Sequence, residues 1–113
     1  MLMKSNSKNQ QKVIETILVK LVKEFSPKKV ILFGSHAEGK PGPDSDIDLL
    51  IIKDTTDRFL DRWVKVKHIL NGTHNSQPVE ALILTPDEIA NRLSRGDQFV
   101  QEILEKGIVL YEG

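Results

Sequence analysis

A chain of 113 residues fits one compact domain and leaves no room for a second domain of ordinary size. Lysine plus arginine equal aspartate plus glutamate at 16 each, so there is no general attraction to nucleic acid or to an anionic membrane, and the basic footprint of a dedicated DNA-binding module is missing. The absence of cysteine excludes disulfides and thiolate metal sites, and no apolar run approaches the roughly 20 residues that span a bilayer.

The first eleven residues are polar and lack the apolar core of a signal peptide. A single cytoplasmic domain over residues 1–113, with a frayed start at residues 1–9, is the expectation. Val13, Ile14, Ile17, Leu18, Leu21, Val22 and Phe25 recur at helical spacing and predict a helix over residues 9–25, stopped by Ser26-Pro27. Val30, Ile31, Leu32 and Phe33 form a short continuous apolar run, which reads as a buried strand. Gly34-Ser35 ends it, and Pro41, Gly42 and Pro43 mark a loop.

A second strand is predicted over residues 47–52. Phe59, Trp63, Val66 and Leu70 share one helical face, which predicts a helix over residues 56–70. Residues 79–84 read as a third strand. Thr85, Pro86 and Glu88 are cap, first-turn proline and capping-box partner of a further helix. A last amphipathic helix over residues 97–106 ends at Gly107, and residues 108–111 suit a short final strand. The order predicts an α/β (α+β) domain with a small mixed sheet of three to four strands flanked by helices. The loop between the first two strands is too short for a crossover helix, so those strands either pair antiparallel or are offset.

The stretch Asp44-Ser45-Asp46-Ile47-Asp48-Leu49 carries the most chemistry. Alternate residues of a strand share a face, so Asp46 and Asp48 lie together, about 7 Å apart along the strand, with Leu50 and Ile52 following. Two carboxylates leading into a buried strand repel unless a cation neutralises them, and oxygen ligands suit Mg²⁺. A solvated acidic turn is the ordinary alternative. A calcium loop starting at Asp44 fails, because its sixth position is Leu49 and its twelfth Thr55.

Gly34-Ser35 follows a buried strand, where backbone N–H groups and the serine hydroxyl can hold phosphate oxygens. Gly34, Gly39 and Lys40 imitate a P-loop, but Pro41 stands where its metal-binding hydroxyl is needed. Glu80 is the one charge within the third strand. It is either a solvent-facing residue or a third carboxylate beside Asp46 and Asp48, completing a two-metal site.

Leu32-Phe33-Gly34-Ser35-His36-Ala37-Glu38-Gly39, followed by Asp44-Ser45-Asp46-Ile47-Asp48-Leu49, resembles the DNA polymerase β-type nucleotidyltransferase superfamily, most of all its minimal nucleotidyltransferase branch. The strand with Glu80, the Thr85-Pro86-Asp87-Glu88 start and the ending Gly107-Ile108-Val109-Leu110-Tyr111 are similar to that branch too. The likeness covers nearly everything after residue 10. It implies transfer of a nucleotidyl group, AMP above all, from ATP or another nucleoside triphosphate to an acceptor hydroxyl. Two Mg²⁺ ions, with Mn²⁺ as substitute, would be held by Asp46, Asp48 and Glu80. Gly34, Ser35, Ser45 and Lys40 would contact the nucleotide. The implied partner is a HEPN-type toxin that the chain modifies as antitoxin, with neutralisation by docking alone as the alternative. No membrane or direct nucleic-acid partner is expected, while self-association stays open. Two departures stand out: His36 replaces a common arginine, and Glu80 a common aspartate.

Overall fold

The computed structural model describes residues 2–39, 46–73 and 77–113. In chain order it contains α1 (Leu2–Phe25), β1 (Lys29–Phe33), a 3₁₀ turn at Gly34–His36, β2 (Ile47–Ile52), α2 (Phe59–Leu70), β3 (Val79–Leu84), α3 (Pro86–Ser94), α4 (Gln98–Lys106) and β4 (Ile108–Glu112). Among the described residues, no helix is long and apolar enough to cross a membrane.

The predicted start of α1 at residue 9 is too late, since helical backbone runs from Leu2. Apolar periodicity marks the buried face of a helix, and no proline or glycine precedes residue 9 to stop the backbone. At its other end Ser26 takes a left-handed φ of 51°, its N–H donates to the Leu21 carbonyl at 3.2 Å, and Pro27 prevents continuation.

The four strands lie in the order β3-β2-β1-β4. β1 is antiparallel to both β2 and β4, which settles the pairing left open by the sequence, and β2 runs parallel to β3 through the α2 crossover. β2 is central and covered on both faces, hence its continuous apolar run. Ile47, Leu49 and Ile51 pack with Ile17 and Leu21 of α1 and Val66 and Leu70 of α2. Leu50 and Ile52 pack on the opposite face with Ile89 of α3 and Val100 and Ile103 of α4. Burying each such side chain contributes about 1.5–3 kcal/mol. Asp48 is the only residue of β2 that is not buried.

One predicted face needs correction. α2 starts at Phe59 rather than residue 56, and its buried residues are Arg62, Val66 and Leu70, while Phe59 and Trp63 are exposed. A charged side chain takes the inward position in their place because its needs are met. Arg62 Nε donates to the Asp57 carbonyl at 2.9 Å, and its terminal nitrogens donate to Glu88 at 2.6 and 3.1 Å. Glu88 is also the capping-box residue of α3, accepting from the Thr85 N–H at 2.9 Å. One ion pair thus ties α2 to the start of α3, and no buried side-chain polar atom among the described residues lacks a partner.

Candidate active site

The sheet itself brings the acidic residues together. Asp48 falls on the same face as Leu50 and Ile52 by strand alternation. Its register partner across the parallel pair is Glu80, and across the antiparallel pair it is Phe33. Register partners on neighbouring strands point to one face, so Glu80, Asp48 and Phe33 form a row across three strands. α3 and α4 pack over the continuation of that face, onto Leu50, Ile52 and Leu84. The acidic end stays open: Asp48 is half-buried and Glu80 exposed. Asp46 sits just ahead of β2, where the Ile47 N–H is already anchored to the Pro78 carbonyl at 2.9 Å.

The electrostatics report the same proximity. The Asp48 carboxyl is raised from its ordinary value, first by burial, then by the charges of Asp46 and Glu80, with His36 acting in the opposite direction. His36 occupies the place where arginine is common in the branch that the sequence resembles.

Gly34 completes the arrangement. Its φ is +76°, and a Cβ built there would collide with the Asp48 carboxylate. The backbone therefore favours glycine, and any side chain here would have to push the Asp48 carboxylate aside. The turn is closed by the Ala37 and Glu38 N–H groups, each donating to the Gly34 carbonyl at 3.1 Å, and Ser35 is held within it. Lys40 and Ser45, the other two expected nucleotide contacts, lie outside the described residues.

Among the described residues, no three Asp, Glu or His side chains close around a common point as a ready metal cage. The donor set nevertheless fits a hard cation. It consists of carboxylate oxygens, their mutual repulsion is expressed at Asp48, and the missing side chain at Gly34 leaves that carboxylate its room.

Beside the row lies a feature that no sequence pattern announces. A cleft of about 220 Å³ runs between the Gly34 turn and α4, lined by Phe33, Phe99 and Ile103 with Glu38, Glu102 and Lys106 at its edge. Phe99 lies off the Val100–Ile103 face of α4, so periodicity assigns it only to the surface.

Comparison with known proteins bears on the family and the fold. The family model described as polymerase beta, nucleotidyltransferase, matches residues 15–113. A relative from Methanocaldococcus jannaschii, provisionally named a protein adenylyltransferase, is 32% identical over 106 residues, covering 91% of this chain and 99% of the relative. Among solved structures, a provisionally named nucleotidyltransferase from Sulfolobus solfataricus superposes with a TM-score of 0.66 at 19% identity, over 96% of this chain and 85% of that one. A toxin–antitoxin structure with AMP-PNP superposes with a TM-score of 0.62 at 22% identity, over 88% and 73%. At these identities the two structures speak for the fold.

Proposed function

The chain belongs to the polymerase beta nucleotidyltransferase family, and from that premise we propose that it transfers AMP from ATP to a hydroxyl group of a partner protein, acting as the antitoxin to a HEPN-type toxin. The observation that carries the reading is the row itself: Asp48 in register with Glu80, Asp46 two residues ahead, and Gly34 shaped around the Asp48 carboxylate. The adenylyltransferase name of the Methanocaldococcus relative supports AMP as the group and protein as the acceptor. The toxin–antitoxin neighbour supports the choice of partner.

Asp46, Asp48 and Glu80 would hold divalent cations, two Mg²⁺ ions or Mn²⁺ in their place. Such ions, when bound, lower the pKa of an acceptor hydroxyl and neutralise charge on the phosphates. The Gly34–Ser35 turn would grip the β- and γ-phosphates, which leaves the α-phosphorus over the carboxylate row. Ser45 and Lys40, outside the described residues, are assigned to the same nucleotide. Glu80, exposed at the outer end of the row, borders the side open to an acceptor. The acceptor oxygen forms its bond to the α-phosphorus, the bond to the bridging oxygen breaks, and pyrophosphate departs with that electron pair. The hydroxyl proton passes to solvent.

The test is incubation with α-labelled ATP, Mg²⁺ and the product of the neighbouring gene. Label should appear on the partner and vanish with Asp46→Asn. Neutralisation of the partner without transfer of label would replace this reading by the docking-only one.

A further inference from the structure

We propose that the cleft between the Gly34 turn and α4 is the subsite for the nucleobase of the donor nucleotide. The inference deepens the nucleotidyl-transfer reading and rests on it. Position comes first. Phe33, which lines the cleft, is the register partner of Asp48, so the two backbones run about 5 Å apart. Gly34 lines the cleft and also abuts the Asp48 carboxylate. The cleft is thus continuous with the site that would hold the phosphates.

Its chemistry suits a flat, uncharged heteroaromatic ring. Small-molecule sites are concave and mostly apolar, with a few polar groups that fix orientation. Phe99 stands edge-on to Phe33, ring centroids 5.7 Å apart at 84°, and remains 55% exposed. A phenyl ring left this open beside a cleft offers a stacking surface. Glu38 and Glu102 are both exposed at the edge, and Lys106 is engaged with Glu102 at 3.3 Å. Carboxylates there repel a triphosphate but accept hydrogen bonds from the amino edge of a base. The wall is fixed in place, because a side chain at Gly107 would collide with Ile31 and the Ile103 carbonyl, so that α4 closes directly onto β1. An aromatic side chain of the acceptor could stack equally well. The acceptor, however, is oriented by its own protein, whereas the donor has only this chain to hold it.

Calorimetry in Mg²⁺ with ATP and with inorganic tripolyphosphate separates the possibilities. ATP should bind more tightly than tripolyphosphate to the wild-type chain. Phe99→Ala should weaken ATP about tenfold while leaving tripolyphosphate unchanged, and Phe99→Trp should retain ATP affinity. Equal affinity of the wild type for the two ligands would overturn the subsite. So would a Phe99→Ala variant with unchanged ATP affinity, the result expected if the acceptor stacks there. An equal loss of both ligands would show that the substitution distorts the turn, again overturning it. In those three outcomes the nucleotidyl-transfer reading stands. A wild-type chain that binds neither ligand would remove both.

Discussion

At Gly34 two demands meet on one residue. A left-handed backbone costs an ordinary L-residue about 1–2 kcal/mol, and here the Cβ would also drive into the Asp48 carboxylate. Gly34→Ala is therefore expected to lower the melting temperature by a few degrees and to cut label transfer by about a hundredfold, the cost of misplacing a reacting group by about 1 Å. Transfer at the wild-type rate would mean that Asp48 does not act from this position. Asp48→Asn separates folding from function in the other direction. The variant relieves the repulsion from Asp46 and Glu80, so its urea midpoint without metal should equal or exceed that of the wild type, while transfer is abolished. A destabilised variant would show that the carboxylate serves the fold. The pairing of Asp46 with Asp48 was legible in the sequence because strand alternation is a fixed period. The alignment of Glu80 with Asp48 was legible only as one of two alternatives, because register depends on the 47–79 pairing of two strands joined through a helix.

The elements were legible wherever a local signal defined them. The three agreeing signals at Thr85, Pro86 and Glu88 correspond to an observed capping box, and β2 and β3 have their predicted bounds. The buried face of α2 escaped because periodicity counts apolar residues, and Arg62 enters the core only by virtue of Glu88 on a distant helix. That pair makes a pH prediction. Hydrogen bonding from Arg62 is the main cause holding Glu88 below its ordinary 4.5, so the folded state favours the ionised form. The stabilisation is fully present above pH 4.5 and is lost as pH falls through the lower folded value. Acid unfolding followed by circular dichroism should show this loss in the wild type and not in Glu88→Gln. Because the Glu88 side chain is 39% exposed, Glu88→Ala should cost less than a fully buried pair, on the order of 2 kcal/mol including the lost cap. A cost below about 0.5 kcal/mol would reduce the contact to an ordinary surface ion pair.

For the whole molecule, α1 and α2 cover one face of the central strands and α3 and α4 the other, while the acidic end and the β4 edge, where Ile108 and Val109 are exposed, stay open. Little surface is left from which to build a pocket around an acceptor, so the acceptor is expected on a second chain. Four exposed apolar residues lie together on the outer side of α2, where Phe59, Leu60, Trp63 and Val64 form a stripe and Lys67 lies over the Trp63 ring at 4.5 Å. Exposed apolar residues in a contiguous patch mark contact surfaces, and a stripe on one helix suits docking of a partner protein. Leu60 and Val64 are four residues apart and more than half exposed, so Leu60→Glu with Val64→Glu should leave both the melting temperature and ATP affinity unchanged. The same double variant should lower the yield of modified partner, read by mass spectrometry as a gain of about 329 Da per AMP, a change that alters charge at the acceptor residue. The modification should also disappear with Ser35→Ala, which acts at the nucleotide instead. Full modification of the partner by the double variant would remove α2 as the docking surface. Efficient transfer of AMP by the purified chain to a small metabolite, with no partner present, would replace the antitoxin by a free-standing enzyme.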